Sequence, residues 1–207
     1  MELQKFEPTT AEEFVGEHQR KWCRLLESYA RNIRNLNEGN MIALIKGDAG
    51  VGKTAMCKVA ARILVDESHR SYDLVHVSGA EVGLDWTRQL KDELHYAPMG
   101  GFRAIIVDEA DELPEKSRAL FLKVMEDLPE RAGLFFTSNQ EALEQRFEDR
   151  CSSRFTLTKP DPKEIAAWLK EHTELSDARV ASLCGKAKGM RSVINQAENL
   201  MRFQTCK

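Results

Sequence analysis

Apolar residues are grouped along the chain in short runs that have the length of β-strands, with helical stretches between them. Four such runs stand out: 41–46 (MIALIK), 73–77 (DLVHV), 104–108 (AIIVD) and 133–138 (GLFFTS). Sequence of helical type follows the first run and recurs at about 84–96 and 115–127. Strands that alternate with helices predict an α/β fold with a parallel sheet and right-handed crossovers. Because the runs are apolar throughout, helices should cover both faces of the sheet.

A further helix is predicted before the first strand. Apolar residues recur there at three- and four-residue steps: Trp22, Leu25, Leu26, Tyr29, Ile33 and Leu36. This spacing is typical of an amphipathic helix, and Gly39 marks its approximate end.

The composition changes at 158–165, where TKPDPKEI places a proline on each side of an aspartate. Beyond this stiff turn the sequence is of helical type only. Three helices are expected, at about 162–172, 177–186 and 190–203. We therefore predict two domains: an α/β domain over residues 1–158 and a small all-helical domain over residues 159–207.

Composition narrows the class of protein. The chain has 207 residues, of which 42% are hydrophobic and 30% are charged, a balance typical of a globular protein. No apolar run approaches the roughly 20 residues that span a bilayer, and the N-terminus lacks the basic-then-apolar pattern of a signal peptide. We therefore expect a protein that is neither secreted nor membrane-bound and that works in the cytoplasm, or in the nucleus of a eukaryote. The net charge of −3 does not indicate a nucleic-acid binder, so contact with DNA would need a local basic surface.

The cysteine and histidine patterns argue against a metal cage. The five cysteines are scattered, odd in number and without a C-x-x-C pair, and the five histidines show no metal-ligand spacing. Reduced, mostly packed thiols fit this pattern better than a disulfide framework or a zinc site.

The first apolar run is followed by a glycine-rich motif of the phosphate-binding type. GDAGVGKT fits G-x-x-x-x-G-K-[ST] at every fixed position and comprises Gly47, Asp48, Ala49, Gly50, Val51, Gly52, Lys53 and Thr54. Glycines let backbone N–H groups face phosphate oxygens without a Cβ clash, and the next helix adds partial positive charge at its N-terminus. Lys53 is expected to reach the β- and γ-phosphates, and the Thr54 hydroxyl to ligate Mg²⁺. A chance glycine-rich turn is the alternative, which the strand–loop–helix context disfavours.

Two carboxylates stand where the third apolar run ends, in AIIVDEAD. Ligands of open α/β sheets bind at this carboxyl edge. We expect Asp108 to hold Mg²⁺, directly or through water, and Glu109 to polarise the attacking water. An Asp-Glu pair alone would more often be a solvated helix start. The letters DEAD also suggest an RNA helicase, but that function needs a second domain of similar fold, which the roughly 50 helical residues that follow cannot provide.

The fourth apolar run ends in the polar residues Thr137, Ser138 and Asn139. If this strand lies next to the acidic one, the Asn139 amide would lie beside the γ-phosphate and orient water. A polar turn is the alternative interpretation, and the order of the motifs favours the site.

In this order the motifs resemble those of the AAA+ ATPases, and within them the clamp-loader subunits, over nearly the whole chain. GDAGVGKT and IIVDEADEL resemble the family's Walker A and Walker B motifs. The stretch 119–139 is similar to the helix and strand that follow Walker B, which makes Asn139 the sensor 1 residue. The resemblance implies a P-loop AAA+ sheet with flanking helices and a helical lid, with ATP and Mg²⁺ as ligands.

Two further segments, one before and one after these motifs, also resemble the family. EFVGEHQ is similar to the family segment that lines the adenine pocket, which implies that Val15 and Gly16 contact the base. KGMRSVINQAENLM (188–201) resembles the sensor 2 helix, which implies that Arg191 contacts the nucleotide.

The segment EDRCSSRF (148–155) resembles the Ser-Arg-Cys motif of clamp loaders, whose arginine reaches the ATP site of a neighbouring subunit. The resemblance implies that Arg150 is an arginine finger supplied in trans, where its guanidinium stabilises charge on the transferred phosphoryl group. A surface ion pair with Glu148 or Asp149 is the alternative, and Arg154 is a rival for the same role. Asp149 departs from the family pattern, which has a serine there.

The resemblance also implies partners: other AAA+ subunits in a homo- or hetero-oligomer, DNA and a sliding clamp. The stretch 75–94 is similar to the part of replication factor C small subunits that faces DNA, but it lacks the basic residue expected near Val82, leaving Gly83, Arg88 and Lys91. The chain ends after the lid, so we expect no helical collar of the kind that holds clamp loaders together. Two other functions stay open: another AAA+ DNA remodeller, such as a helicase loader or transposition regulator, and an interaction module that ATP switches with little hydrolysis.

Overall fold

In a computed structural model of the protein, five parallel strands form one sheet with helices on both faces. The structure describes residues 6–139, 143–186 and 189–205. The strands are β1 (Met41–Gly47), β2 (Leu74–Ser78), β3 (Arg103–Asp108), β4 (Ala132–Ser138) and β5 (Ser153–Leu157). Their order in the sheet is β2-β3-β4-β1-β5, and each neighbouring pair is parallel. The predicted α/β class is confirmed.

Helices connect the strands and continue beyond the last one. They are α1 (Glu17–Leu36), α2 (Lys53–Leu64), α3 (Arg70–Asp73), α4 (Leu84–Glu93), α5 (Glu115–Glu126), α6 (Gln145–Asp149), α7 (Pro162–His172), α8 (Asp177–Lys186) and α9 (Met190–Thr205). Short 3₁₀ turns occur at Ala11–Glu13, Glu67–His69, Gly79–Glu81 and Ala110–Glu112. Helix α1 ends close to the predicted Gly39 because Asn37 takes the left-handed conformation, with φ 55°, that commonly terminates helices.

Strand β5 is not among the predicted strands, because its sequence SRFTL contains no continuous apolar run. It lies at the edge of the sheet and pairs only with β1 among the strands. Phe155 and Leu157 are buried, whereas Arg154 and Thr156 between them are exposed. Alternation of this kind marks a strand with one buried and one solvated face, a pattern that a search for apolar runs does not detect.

The core of the α/β part consists of two apolar layers, one on each face of the sheet. Ile105 and Ile106 are neighbours in β3 and belong to opposite layers, because successive side chains of a strand point to opposite faces. Helices α1 and α2 cover one face, where Met56 is fully buried, and α4 and α5 cover the other, where Phe121 is fully buried. The prediction that helices cover both faces is therefore correct.

Helices α7, α8 and α9 enclose a third apolar cluster: Ile165, Trp168, Leu169, Leu175, Val180, Leu183, Val193 and Ala197. Val15, which precedes α1, also belongs to this cluster and ties the helices to the N-terminal segment. Helix α7 begins at Pro162 with a capping box, in which the Asp161 carboxylate accepts from the Lys163 N–H and the Glu164 carboxylate accepts from the Asp161 N–H. The division into domains after residue 158 stays a prediction.

The cysteine side chains that the structure describes are reduced, and most of them are packed. Cys23, Cys57, Cys151 and Cys184 are free thiols, and the first three are buried, while Cys206 lies outside the described residues. Burial raises the pKa of Cys23 and of Cys151 to about 12, so these thiols stay protonated.

Within the described residues no three histidine, cysteine or acidic side chains are grouped as a metal cage would require. No helix in the same part of the chain has the length and apolar character to cross a membrane.

Candidate nucleotide site

The carboxyl ends of β1, β3 and β4 meet at one edge of the sheet, with β4 between the other two. This order brings together the glycine-rich loop after β1, the acidic residues after β3 and the polar end of β4. A cavity of about 840 Å³ opens at this edge, and the residues Ala49–Thr54 form part of its wall.

The glycine-rich loop adopts a backbone that other residues would strain. Gly50 and Gly52 have φ angles of 76° and 102°, in the left-handed region that favours glycine. Gly47 has φ 145°, and a Cβ there would lie 2.3 Å from the carbonyl oxygen of Leu157 in β5. These glycines turn the chain into α2, whose first residue is Lys53.

The Lys53 ammonium lies inside the loop that it follows. Its Nζ donates to the carbonyl oxygens of Gly47 and Asp48 and to Oδ1 of Asn139, each at 2.8 Å. Gly47 and Asp48 are not among the residues that line the cavity, and their carbonyl oxygens serve as acceptors for Lys53. Burial lowers the pKa of Lys53, and the nearby carboxylates, of which Asp108 is the strongest, only partly offset this effect. The ammonium is therefore partly desolvated, and Lys53 lines the cavity, which is the setting that an ion pair with phosphate requires.

Thr54 and Asp108, the two predicted Mg²⁺ ligands, are in direct contact. The Thr54 hydroxyl donates to Asp108 Oδ1 at 2.8 Å, and the Thr137 hydroxyl donates to the same oxygen at 2.8 Å. Hydroxyl and carboxylate oxygens are the hard donors that Mg²⁺ prefers, so this donor set fits the ion. Burial would raise the pKa of Asp108, but hydrogen bonds from His76, Thr137 and Thr54 outweigh it and hold the pKa below its ordinary value. Asp108 is therefore ionised, as a metal ligand must be.

Glu109 takes an unusual backbone conformation at the border of the cavity. Its φ and ψ are 56° and 52°, a left-handed conformation that few residues other than glycine adopt. Its N–H donates to Oγ1 of Thr137 at 3.0 Å, and its carbonyl oxygen lies so close to Gly79 that a Cβ there would be only 2.3 Å away. The hydrogen bond to Thr137 of β4 and the close packing against Gly79, which follows β2, therefore hold this residue in place, and its exposed side chain lines the cavity.

Asn139 lies at the cavity directly after β4, between Lys53 and the turn that follows β3. Its N–H donates to Asp111 Oδ1 at 3.2 Å, which fixes its position relative to the acidic residues. Asp111 and Thr137 are thus site residues whose roles were not predicted from the sequence. Both stood inside motifs already singled out, so their signal was the polar character of the strand ends rather than a pattern of their own.

Part of the cavity lining is apolar and comes from segments near both ends of the chain. Phe6, Phe14, Val15 and Ile194 form this part. Gly16 does not line the cavity; it precedes α1 with φ 100°, and a Cβ there would lie 2.3 Å from Gln19 Oε1. Val15 thus lines the cavity and Gly16 does not, and the contact of either residue with a base stays a prediction.

Helix α9 begins against the glycine-rich loop. The Met190 N–H donates to the Gly50 carbonyl oxygen at 2.9 Å. Arg191, the predicted sensor 2 residue, is exposed and lines the cavity directly above the loop, with its Cβ 3.5 Å from the position that a Cβ on Gly50 would take. The cavity is therefore closed on one side by the C-terminal helices.

Arg150 is not among the residues that line the cavity of its own chain. It follows α6, and its Nε donates to Glu126 Oε1 at 3.0 Å, while Nη2 contacts the same oxygen. The expected alternative partners are engaged elsewhere: Glu148 pairs with Lys46 at 3.0 Å, and Asp149 lies 3.9 Å from Arg154. Arg150 thus forms a surface ion pair with Glu126 of α5 and not with the two residues considered from the sequence.

The stretch expected to face DNA has its basic side chains paired within the chain. Arg88 contacts Asp85 at 3.0 Å, and Lys91 contacts Asp127 at 3.7 Å. Gly83 is exposed and precedes α4, and its own N–H donates to the Glu81 carbonyl oxygen at 3.0 Å.

Comparison with known proteins identifies the family. Residues 43–159 match the model of the ATPase family associated with various cellular activities (AAA), and the chain belongs to this nucleotide-binding ATPase family. Among curated proteins, the replication factor C small subunit of Archaeoglobus fulgidus is 31% identical over 169 residues, which is 78% of this chain and 49% of that protein. The Haloarcula marismortui replication factor C small subunit is 28% identical over 203 residues, 93% of this chain and 60% of the relative. The chain thus spans about half to three fifths of the length of these relatives.

Solved structures share the fold. The RuvB Holliday junction branch migration motor of Thermotoga maritima superposes with a TM-score of 0.76 at 18% identity, covering 97% of this chain and 66% of that one. A DNA polymerase III gamma-subunit-related protein of Thermotoga maritima gives a TM-score of 0.56 at 20% identity, covering 86% and 72%. The sheet order and the C-terminal helices are therefore those of AAA+ modules.

Proposed function

We propose that the protein is a Mg²⁺- and ATP-dependent ATPase of the clamp-loader type, which couples ATP binding and hydrolysis to DNA binding or to the loading of a sliding clamp. One observation carries the proposal: the two pairs Lys53–Asn139 and Thr54–Asp108, each at 2.8 Å, join the phosphate loop, the acidic strand and the polar strand into a single site. Such a site suits phosphoryl transfer, because positioning and electrostatic stabilisation supply most of the catalysis in that reaction.

Each residue of the site has a role in this proposal. The N–H groups of the loop cradle the phosphates, and Lys53 exchanges its bonds with the carbonyl oxygens and Asn139 for bonds with the β- and γ-phosphates. Mg²⁺, held by Thr54 and Asp108, would neutralise charge on the β- and γ-phosphate oxygens. Glu109 accepts a proton from the attacking water, which Asn139 orients.

Two arginines complete the proposed site from outside the loop. Arg191 approaches the phosphates from α9 in the same chain. Arg150 does not line the cavity of its own chain, and in this proposal it serves the site of a neighbouring AAA+ subunit. Hydrolysis would then depend on assembly.

The clamp-loader role, with DNA and a sliding clamp as partners, is supported by the replication factor C small subunits that the chain is similar to. In this proposal DNA contacts the first turn of α4, which begins at Leu84 after the exposed Gly83, and a phosphate contact to backbone N–H groups there would carry no sequence information.

The proposed function is tested by steady-state ATPase assays and nucleotide-binding assays on three proteins. Wild type should hydrolyse ATP, Lys53→Ala should lose nucleotide binding, and Glu109→Gln should bind ATP but turn over at least about a hundredfold more slowly, since general-base catalysis contributes 10²–10⁴-fold. Full turnover in Glu109→Gln would show that Glu109 is not the general base. Unchanged nucleotide binding in Lys53→Ala would contradict the proposed nucleotide site.

The same assay separates the clamp-loader role from the alternatives. Primer–template DNA should stimulate wild-type hydrolysis, and the stimulation should fall steeply as salt rises, because phosphate contacts release counterions. Hydrolysis that stays negligible with or without DNA favours an ATP-switched interaction module, for which the pairing of Arg150 with Glu126 within its own chain is the supporting observation. Stimulation by DNA with a helicase or a transposition protein as the copurified partner would favour another AAA+ remodeller.

A further inference from the structure

The imidazole of His76 contacts the Asp108 carboxylate from a neighbouring strand. His76 lies on β2, the edge strand beside β3, and its Nε2 is 2.8 Å from Asp108 Oδ2. In the register of the two strands Ser78 lies opposite Asp108, so His76 is the diagonal neighbour of Asp108 on the same face of the sheet. Because an ionised carboxylate only accepts hydrogen bonds, Nε2–H is the donor. His76 also lines the nucleotide cavity.

This contact completes the set of bonds that hold Asp108. Oδ1 accepts from the hydroxyls of Thr54 and Thr137, and Oδ2 accepts from His76. Three donors from three different elements therefore fix the plane of the carboxylate. With Oδ2 bonded to the imidazole, Oδ1 is the oxygen that faces Thr54.

That orientation matters for a small ion. Mg²⁺ demands near-octahedral geometry at about 2.0–2.1 Å and takes one or two carboxylates among its ligands. A carboxylate that turns freely about its Cβ–Cγ bond offers either oxygen or both, and it must be ordered when the ion binds. Partners that orient a ligand in advance remove this cost, and their loss typically weakens metal binding 10–100-fold.

We propose that His76 is a positioning residue for Mg²⁺: it holds Asp108 with Oδ1 toward Thr54 and thereby sets how strongly Mg²⁺ strengthens nucleotide binding. This inference rests on the proposed function, because it deepens the description of the same site. His76 touches neither phosphate nor metal in this role and acts through Asp108.

The position of His76 makes the proposal testable without damage to the core. Its side chain is 38% exposed and stands on an edge strand, so its replacement removes little buried apolar surface. Asp108, in contrast, is 20% exposed and accepts hydrogen bonds at both carboxylate oxygens, so its substitution would disturb the site directly.

The test measures binding of a fluorescent ATP analogue while Mg²⁺ is titrated against EDTA. In wild type, Mg²⁺ should increase the affinity for the analogue. In His76→Ala the Mg²⁺ concentration at half-maximal effect should rise about 10–100-fold, with affinity in EDTA unchanged. His76→Gln, whose amide N–H can donate to Oδ2, should recover most of the loss, which a purely structural role would not predict.

His95→Ala is the matched control, since His95 is an exposed histidine that does not line the cavity. Superimposable Mg²⁺ titrations for wild type and His76→Ala would overturn the proposal for His76 while leaving the nucleotide site intact. Equal losses of affinity with and without Mg²⁺ would also overturn it, because His76 would then act on the nucleotide and not on the ion. Absence of analogue binding in wild type would instead contradict the proposed function itself.

Discussion

Arg150 is held by its own chain in a manner that bears on its proposed role. Its guanidinium contacts the Glu126 carboxylate through Nε and Nη2 and the Arg146 carbonyl oxygen through Nη1, the last at 2.8 Å. The Arg150 and Glu126 side chains are 30% and 52% exposed. Exposed ion pairs of this kind contribute about 0–1 kcal/mol, so the pair is strong enough to bias the arginine and weak enough to open. An arginine that serves a neighbouring subunit must first leave Glu126.

This competition predicts the effect of a single substitution. Glu126→Gln should weaken the bond to Arg150 and release the guanidinium. At a protein concentration that does not saturate assembly, we expect the ATPase rate per subunit to rise about two- to fivefold, the factor that corresponds to a pair worth up to about 1 kcal/mol. The measurement is the ATPase rate as a function of protein concentration.

Two variants control for other effects of the charge change. Glu130→Gln neutralises another exposed glutamate soon after α5 and should leave the rate unchanged. The double variant Glu126→Gln with Arg150→Ala should lose the gain, because no guanidinium remains to be released. A gain that persists in the double variant would show that Glu126 acts independently of Arg150.

At the same scale, the site residues that the sequence predicted differ from those it did not. Lys53, Asp108 and Asn139 were predicted because each stands at a fixed place relative to a strand end, and the structure brings all three together. His76 gave no such signal, and Asp111 stood inside the acidic motif without an assigned role. His76 matters only because β2 pairs with β3 in a register that sets it diagonal to Asp108, which is a property of tertiary structure and not of the sequence around it.

Helix α9 depends on close backbone contact with the glycine-rich loop. A Cβ on Gly189 would lie 2.7 Å from the Ala49 carbonyl oxygen and 3.2 Å from the Gly50 carbonyl carbon. Both neighbours are backbone atoms of the loop, so they cannot move aside as the end of a flexible side chain would. Gly189 therefore permits the Met190–Gly50 hydrogen bond and the position of Arg191 that follows it.

Gly189→Ala should consequently push the start of α9 away from the loop. We expect nucleotide affinity to fall about two- to tenfold, the range that corresponds to the loss of one hydrogen bond at 0.5–1.5 kcal/mol. The measurement is equilibrium binding of a fluorescent ATP analogue, with thermal unfolding recorded alongside it.

Gly185→Ala is the matched control within the same helical region. Gly185 is exposed in α8, and a Cβ there meets no atom within 4 Å. Alanine should stabilise α8 by up to about 1 kcal/mol and leave nucleotide affinity unchanged. If Gly189→Ala also bound nucleotide with wild-type affinity, the close contact between α9 and the loop would have no part in the site.

At the scale of elements, the sequence predicted what has a strong and local pattern. The four apolar strands and the helices of the C-terminal part appear close to their predicted bounds, because buried parallel strands and capped amphipathic helices each leave their own periodicity. Strand β5 was not predicted, because a half-buried edge strand of five residues shows only two apolar positions, Phe155 and Leu157. Its existence depends on β1 offering a free edge, which no local pattern reveals.

A single chain supplies the nucleotide-binding part of the proposed ATPase site but not the arginine finger. Lys53, Thr54, Asp108 and Arg191 all contribute to one cavity of a single chain, whereas Arg150 does not line it. A repeated head-to-tail contact between copies would place the Arg150 side of one chain against the cavity of the next, because heterologous interfaces join two different surfaces. The proposed function thus requires at least two chains.

This requirement is tested by mixing two inactive variants. Arg150→Ala keeps an intact nucleotide site but supplies no guanidinium, and Lys53→Ala keeps Arg150 but binds no nucleotide. Each alone should be nearly inactive, since arginine fingers contribute about 10³–10⁵ in rate. In an equimolar mixture, about a quarter of randomly formed heterologous contacts pair an intact site with an intact arginine, so the rate should recover to about a quarter of the wild-type value.

The mixture distinguishes shared sites from independent ones because neither variant can recover by itself. A third protein, carrying both Lys53→Ala and Arg150→Ala, should give no recovery when mixed with Arg150→Ala. This control shows that the recovery comes from the arginine and not from the higher total protein concentration. If the first mixture gave only the average of the two separate rates, Arg150 would act within its own chain or not at all. The ion pair with Glu126 would then be the whole of its role, and a different residue or a different partner chain would have to complete the site.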